Sequence, residues 1–162
     1  MDAPSPSPRV GWPARLENGL LVTLLGLLIV VAIGQLLARN LFGAGWPDAD
    51  PLMRTLVLWV GLTGAMVATR EHRHIAIVLL PERLPPRLRA RVALAAQLFT
   101  AAVAATVAYH GARFVLMEAH YPVIAFAAVP TWATAAIIPF AFGVIAVRAL
   151  HDALTACREA PR

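Results

Sequence analysis

Between Leu52 and Thr69 the chain carries a single charge, Arg54, and then turns abruptly into Arg70-Glu71-His72-Arg73-His74. An apolar run closed by a basic cluster is the pattern of a helix that crosses a bilayer and halts at its cytoplasmic face. Three further apolar stretches are long enough to do the same, at about 19–38, 92–112 and 130–147. As a helix, the stretch from Gly19 to Ala38 rises about 30 Å, the thickness of the hydrocarbon core. The fold class expected is therefore an all-α integral membrane protein with four transmembrane helices.

Composition agrees. The hydrophobic fraction of 59% and mean hydropathy of +0.69 exceed the roughly 45–50% apolar content of an ordinary soluble domain. All 14 basic residues are arginine, and they sit almost wholly between the apolar runs. The net charge of +5 thus reflects membrane topology, and a nucleic-acid partner is not expected. Eleven arginines (9, 15, 70, 73, 83, 87, 89, 91, 148, 158 and 162) fall on one side of the four spans and three (39, 54 and 113) on the other. The positive-inside rule then places both termini and the central linker in the cytoplasm. Cys157 is the only cysteine, so no intramolecular disulfide can form, and a reduced thiol is expected.

Residues 1–18, rich in proline and serine, are expected as a disordered cytoplasmic tail retained ahead of the membrane domain at 19–150. Residues 151–162 form the second cytoplasmic tail. In the central linker the apolar insert Ile75–Leu80 is too short to span, and an interfacial segment along the headgroups is its natural reading. Arg39–Pro51 and Arg113–Val129 are expected as outer connectors. Pro130 suits a helix start, Trp132 suits interface depth, and Pro139 should kink the fourth span. Alanine at 93, 95, 96, 101, 102, 104, 105 and 108 prepares the third span for close helix contact.

The chemistry absent from the spans is as informative. All nine acidic residues lie in tails or connectors, so none is placed for ion coupling at mid-membrane depth. His72, His74, His120 and His151 lie outside the spans and His110 is one turn from an outer end, so paired haem ligation has no geometry to support it. No catalytic triad, CxxC, P-loop or GxGxxG pattern occurs, and no cofactor, metal or enzymatic activity is expected. The packing signals are stronger: Gly61 with Ala65 and Gly64 with Ala68 form small-xxx-small pairs beside the large ring of Trp59. These residues fit either packing within the bundle or contact with a second protein. A membrane anchor of a redox complex and an autonomous small exporter are the alternative functional classes.

Several of these residues also form an ordered pattern. Gln35, Arg39 and Trp46 come first, then Asp50, Arg54 and Trp59-Val60-Gly61-Leu62-Thr63-Gly64-Ala65, then Arg70 and His74-Ile75-Ala76-Ile77, and finally Pro130-x-Trp132 with Pro139. In this order the chain resembles the small permease subunit (DctQ-type) of tripartite ATP-independent periplasmic, or TRAP, transporters over nearly all its length after the tail. One position departs: the acidic residue common after H-I-x-V is Val78 here, so any polar contact made by that acid beside His74 is lost or replaced.

The resemblance implies a multi-pass subunit of the bacterial inner membrane that braces a large (DctM-type) permease. A periplasmic solute-binding protein would deliver an organic acid for sodium-coupled uptake. With 162 residues the chain is expected as a separate, unfused small permease. The subunit-interface candidates are Arg54, Trp59, Gly61, Gly64, Ala65, Arg70, His74, Pro130 and Trp132, with Asp48, Asp50 and Glu118 as candidates for contact with the binding protein. Membrane lipids are the remaining partners, and the substrate leaves no trace in these residues.

Overall fold

The computed structural model describes residues 12–43, 45–79, 86–121 and 123–159, with the backbone alone for 71–79, 86–87, 89–90 and 158–159. Three long helices come first: α1 (Trp12–Phe42), α2 (Ala49–Leu79) and α3 (Pro86–His120). A short hairpin of β1 (Ile124–Phe126) and β2 (Val129–Pro130) leads into α4 (Thr131–Ala135) and α5 (Ile137–Glu159). Four segments are long and apolar enough to cross a membrane: 12–42, 49–70, 91–120 and 131–157.

The helices outrun the apolar stretches that announce them. Residues 12–18, expected in the disordered tail, already belong to α1, whereas the rest of that tail, residues 1–11, lies outside the described residues. From Ile75 the apolar insert continues α2 in one unbroken helix through Leu79, and Leu80 lies outside the described residues. Arg113–His120, expected in a connector, form the last two turns of α3, since no proline interrupts the chain before Pro122. At the other extreme α1 stops sharply, because Gly43 takes φ +66°, the left-handed cap that ends a helix.

The kink expected at Pro139 is a break three residues earlier. Ala136 separates α4 from α5, and the next amide, from Phe140 to the Ala136 carbonyl, is stretched to 3.5 Å. Proline supplies no N–H and its ring crowds the carbonyl four residues back, so helical bonding fails there. Gly111 of α3 lies against this break. A Cβ on it would stand 3.3 Å from Ile138 Cγ2 and 3.5 Å from Pro139 Cδ, so even an alanine there would require Ile138 to give by a few tenths of an ångström.

In space the long helices follow the order α1, α2, α5, α3. Helices α3 and α5 form the most extensive pair, and the less exposed positions along α3 include Leu94, Gln97, Ala101, Ala104, Ala108, Gly111, Val115 and Glu118, with Val107 and Ala112 beside them. That alternation of three and four residues is the seam of near-antiparallel, coiled-coil-like packing. It uses one stripe of the alanine-rich helix and leaves Ala93, Ala95, Ala96, Ala102 and Ala105 exposed. Met66, Ala104, Ala141 and Ile145 make the common core of α2, α3 and α5. The outer helices are correspondingly bare: only 6% of the most apolar window of α1 is buried, against 28% for the α4–α5 span.

The hairpin had no signal in the sequence. Its two turn residues, Ala127 (φ 40°) and Ala128 (φ 69°), sit in the left-handed region where glycine or asparagine is usual. Thr131 ties the hairpin to α4, its N–H and hydroxyl both donating to the carbonyl of Val123 at 2.8 and 3.0 Å.

Candidate functional site

At one end of the helix row a single carboxylate joins three helices. Glu17 of α1 accepts from Arg70 of α2 at 3.2 Å and from Arg148 of α5 through a short contact to its other oxygen. Arg70 also donates to the carbonyl of Ala14 at 3.1 Å and to Asn18 Oδ1 at 2.8 Å. Arg148 reaches across to the carbonyl of Met66 at 2.6 Å. The three ionic side chains are 16–27% exposed, open enough to keep some hydration and closed enough to matter. Charge-assisted bonds of this kind are the stronger class of hydrogen bond, and here they fix where α1 and α5 lie on α2.

At the opposite end the ties are neutral. The side-chain amide of Gln35 grips the backbone of Trp46, accepting its N–H at 2.9 Å and donating to its carbonyl at 3.3 Å. This closes the α1–α2 connector much as a strand pair would. Gly45 makes it possible, since a Cβ there would fall 2.7 Å from Gln35 Nε2 and 3.0 Å from Arg39 Cγ. The indole N–H of Trp59 donates to the carbonyl of Thr134 at 2.9 Å, pinning α2 to α4 just before the proline break.

The candidate residues on α2 and beyond now separate into two groups. Trp59, Arg70 and Ala65 are engaged internally, the last packed against the common core, and Pro130 is a strand residue that precedes α4. Arg54 and Gly61 are exposed on one helical face with Val57 and Leu58 between them. Arg54 forms no hydrogen bond or ion pair among the described residues, and a Cβ on Gly61 would meet nothing within 4 Å. Asp50, Met53, Arg54 and Val57 line an open groove of about 450 Å³ on this face. Gly64 faces α1, where only Leu21 comes near, at 3.9 Å. Trp132 is 39% exposed, and the side chain of His74, like that of Val78, lies outside the described residues.

Four contributors were not singled out from sequence. Glu17 and Asn18 read as tail residues and Arg148 as a topological charge, although each borders an apolar run. Thr63 is the fourth: it is 1% exposed, and its hydroxyl has no partner among the described residues.

The protein family described as "Tripartite ATP-independent periplasmic transporters, DctQ component" matches residues 7–159. The chain belongs to this family. It is a TRAP transporter small permease, a multi-pass protein of the bacterial inner membrane. A protein of Haemophilus influenzae (strain ATCC 51907) described as a TRAP transporter small permease is 27% identical over 67 residues, 41% of this chain and 42% of that protein. The sialic acid TRAP transporter permease protein SiaT of H. influenzae (strain 86-028NP) is 31% identical over 75 residues, 46% of this chain and 12% of SiaT. The isethionate TRAP transporter permease protein DctMQ of Oleidesulfovibrio alaskensis is 25% identical over 153 residues, 88% of this chain and 24% of DctMQ. The chain therefore spans less than half the length of each of these relatives. In this small permease the Gln35–Trp46 bonds join two residues of the Q…R…W pattern, and Trp59 bonds to Thr134, two residues beyond Trp132.

Proposed function

We propose that this small permease braces a large DctM-type permease for sodium-coupled uptake of an organic acid captured by a periplasmic binding protein. The observation that carries the proposal is the bare face of α2. A guanidinium without a partner among the described residues, beside exposed Val57, Leu58 and Gly61, is costly against lipid, and a second membrane protein with an acceptor would relieve that cost. Arg54 would be the polar anchor and Gly61 the point of closest helix approach, with Gly64 flanking them and Trp132 a separate exposed candidate on α4. Trp59, Ala65, Arg70 and Pro130 would shape this face from within, and His74 remains a candidate on the extension of α2.

The relatives named for sialic acid and isethionate support an organic anion as the class of cargo. The long DctMQ relative, of which this chain covers 24%, supports close association with further permease sequence. The arginine distribution supports an orientation in which the Glu17–Arg70–Arg148 end is cytoplasmic, with the unbroken α2 extension beyond Arg70 continuing past the headgroups rather than along them. The connector clamped by Gln35 would then face the periplasm and offer Asp48 and Asp50 to the binding protein, with Glu118 a separate candidate near the end of α3, at the far side of the helix row.

Affinity purification of the tagged chain from native membranes in mild detergent tests the reading. A large multi-span permease should co-purify at matching abundance, and Gly61→Leu should reduce that recovery at least tenfold. Recovery of the chain alone, or co-purification unaffected by Gly61→Leu, would count against it.

A further inference from the structure

A second open groove runs along α5 on its way to the ionic cluster. Its lining is Pro139, Phe140, Gly143, Val144, Val147 and Arg148, five apolar residues followed by a guanidinium. From Pro139 to Val147 the helix rises about 12 Å, against roughly 15 Å for the hydrocarbon of one leaflet. Gly143 forms the floor, and beyond its own helix backbone a Cβ there would meet nothing within 4 Å among the described residues. Phe140 and Val147 flank it at 62% and 69% exposure.

The charged end is incompletely satisfied. A guanidinium has five N–H donors. Met66 and Glu17 take one each, which leaves three on Arg148 without an acceptor among the described residues. Glu17, the carboxylate that Arg148 reaches, is itself shared with Arg70. The next acid on α5, Asp152, faces the imidazole of His151 at 3.6 Å. We propose that this groove is a binding site for one anionic glycerophospholipid, with an acyl chain along Phe140, Gly143 and Val147 and the headgroup phosphate on the free N–H groups of Arg148. The length, the apolar lining and the single cationic end match that ligand together, and anionic lipids are drawn to the basic side of a membrane protein. The lipid would complete the cluster from the membrane side, so the site does not depend on the identity of the protein partner.

The test is native mass spectrometry of the full chain in detergent, titrated with dioleoyl phosphatidylglycerol or, in parallel, dioleoyl phosphatidylcholine. One phosphatidylglycerol should be retained at least tenfold more strongly than phosphatidylcholine. Gly143→Leu, which fills the groove floor without touching the ionic cluster, should bring retention of phosphatidylglycerol down to the phosphatidylcholine level. Arg148→Gln should do the same. Equal retention of the two lipids, or unchanged retention by Gly143→Leu, would overturn the proposal. Expulsion of the lipid on addition of the large permease would also overturn it, by showing the groove to be a protein seat.

Discussion

At one end of the helix row, two guanidiniums share the carboxylate of Glu17 and hold three helices in register. At the other, the ties are the amide of Gln35 and the indole of Trp59. The charged end joins residues 131 positions apart in the chain, whereas the Gln35–Trp46 clamp spans 11. The difference follows from what each end has to fix. Helix α1 packs mainly on α2 through apolar side chains, with Leu24 its only buried residue, and a directional ionic tie sets its place where packing is too sparse to do so. At the opposite end a short connector and a hairpin already constrain the geometry, and single neutral hydrogen bonds suffice.

Removing Glu17 should have the largest effect. Glu17→Ala leaves two half-buried arginines facing each other, and thermal unfolding in detergent should show a loss of about 2–3 kcal/mol, below the value for a fully buried pair because water still reaches the cluster. Gly111→Leu forces a side chain into the close passage of α3 at the proline break and should destabilise by about 1–3 kcal/mol in the same assay. Trp59→Phe keeps an aromatic ring but removes the bond to Thr134 together with part of the indole's volume, for an expected loss of about 1–2 kcal/mol. Gly45→Ala should loosen the Gln35 clamp and cost less than about 1 kcal/mol, read most sensitively as faster exchange of the Trp46 amide. A Glu17→Ala effect smaller than that of Trp59→Phe would reverse the contrast between the two ends.

The four spans were legible because apolar length and the arginine distribution are summed over many residues, and no local detail can hide them. Trp59, Gly61 and Gly64 stood out because large and very small side chains are conspicuous on an apolar helix. What stayed hidden depends on distance or on exception. Nothing periodic connects Glu17 with Arg148, since each looks like an ordinary charge at a membrane boundary until α1 and α5 are placed on the same side of α2. The hairpin was invisible because its turn is built from Ala127 and Ala128, which carry no turn signature and hold a conformation costing alanine roughly 1–2 kcal/mol per residue. Helix ends were misjudged for a related reason: apolar content marks where the lipid is, whereas α1 begins before it at Trp12, with Pro13 tolerated in the first turn, and α3 runs past it to His120.

The bare face of α2 as the seat of the large permease is tested most directly by site-specific photo-crosslinking in native membranes. Gly61→Cys in a Cys157→Ser background would carry a photoreactive maleimide, with Ile29→Cys on the lipid-facing side of α1 as the comparison. The expected result is an adduct with a large multi-span permease from position 61 and none from position 29. A permease adduct from position 29 with only lipid adducts from position 61 would contradict it.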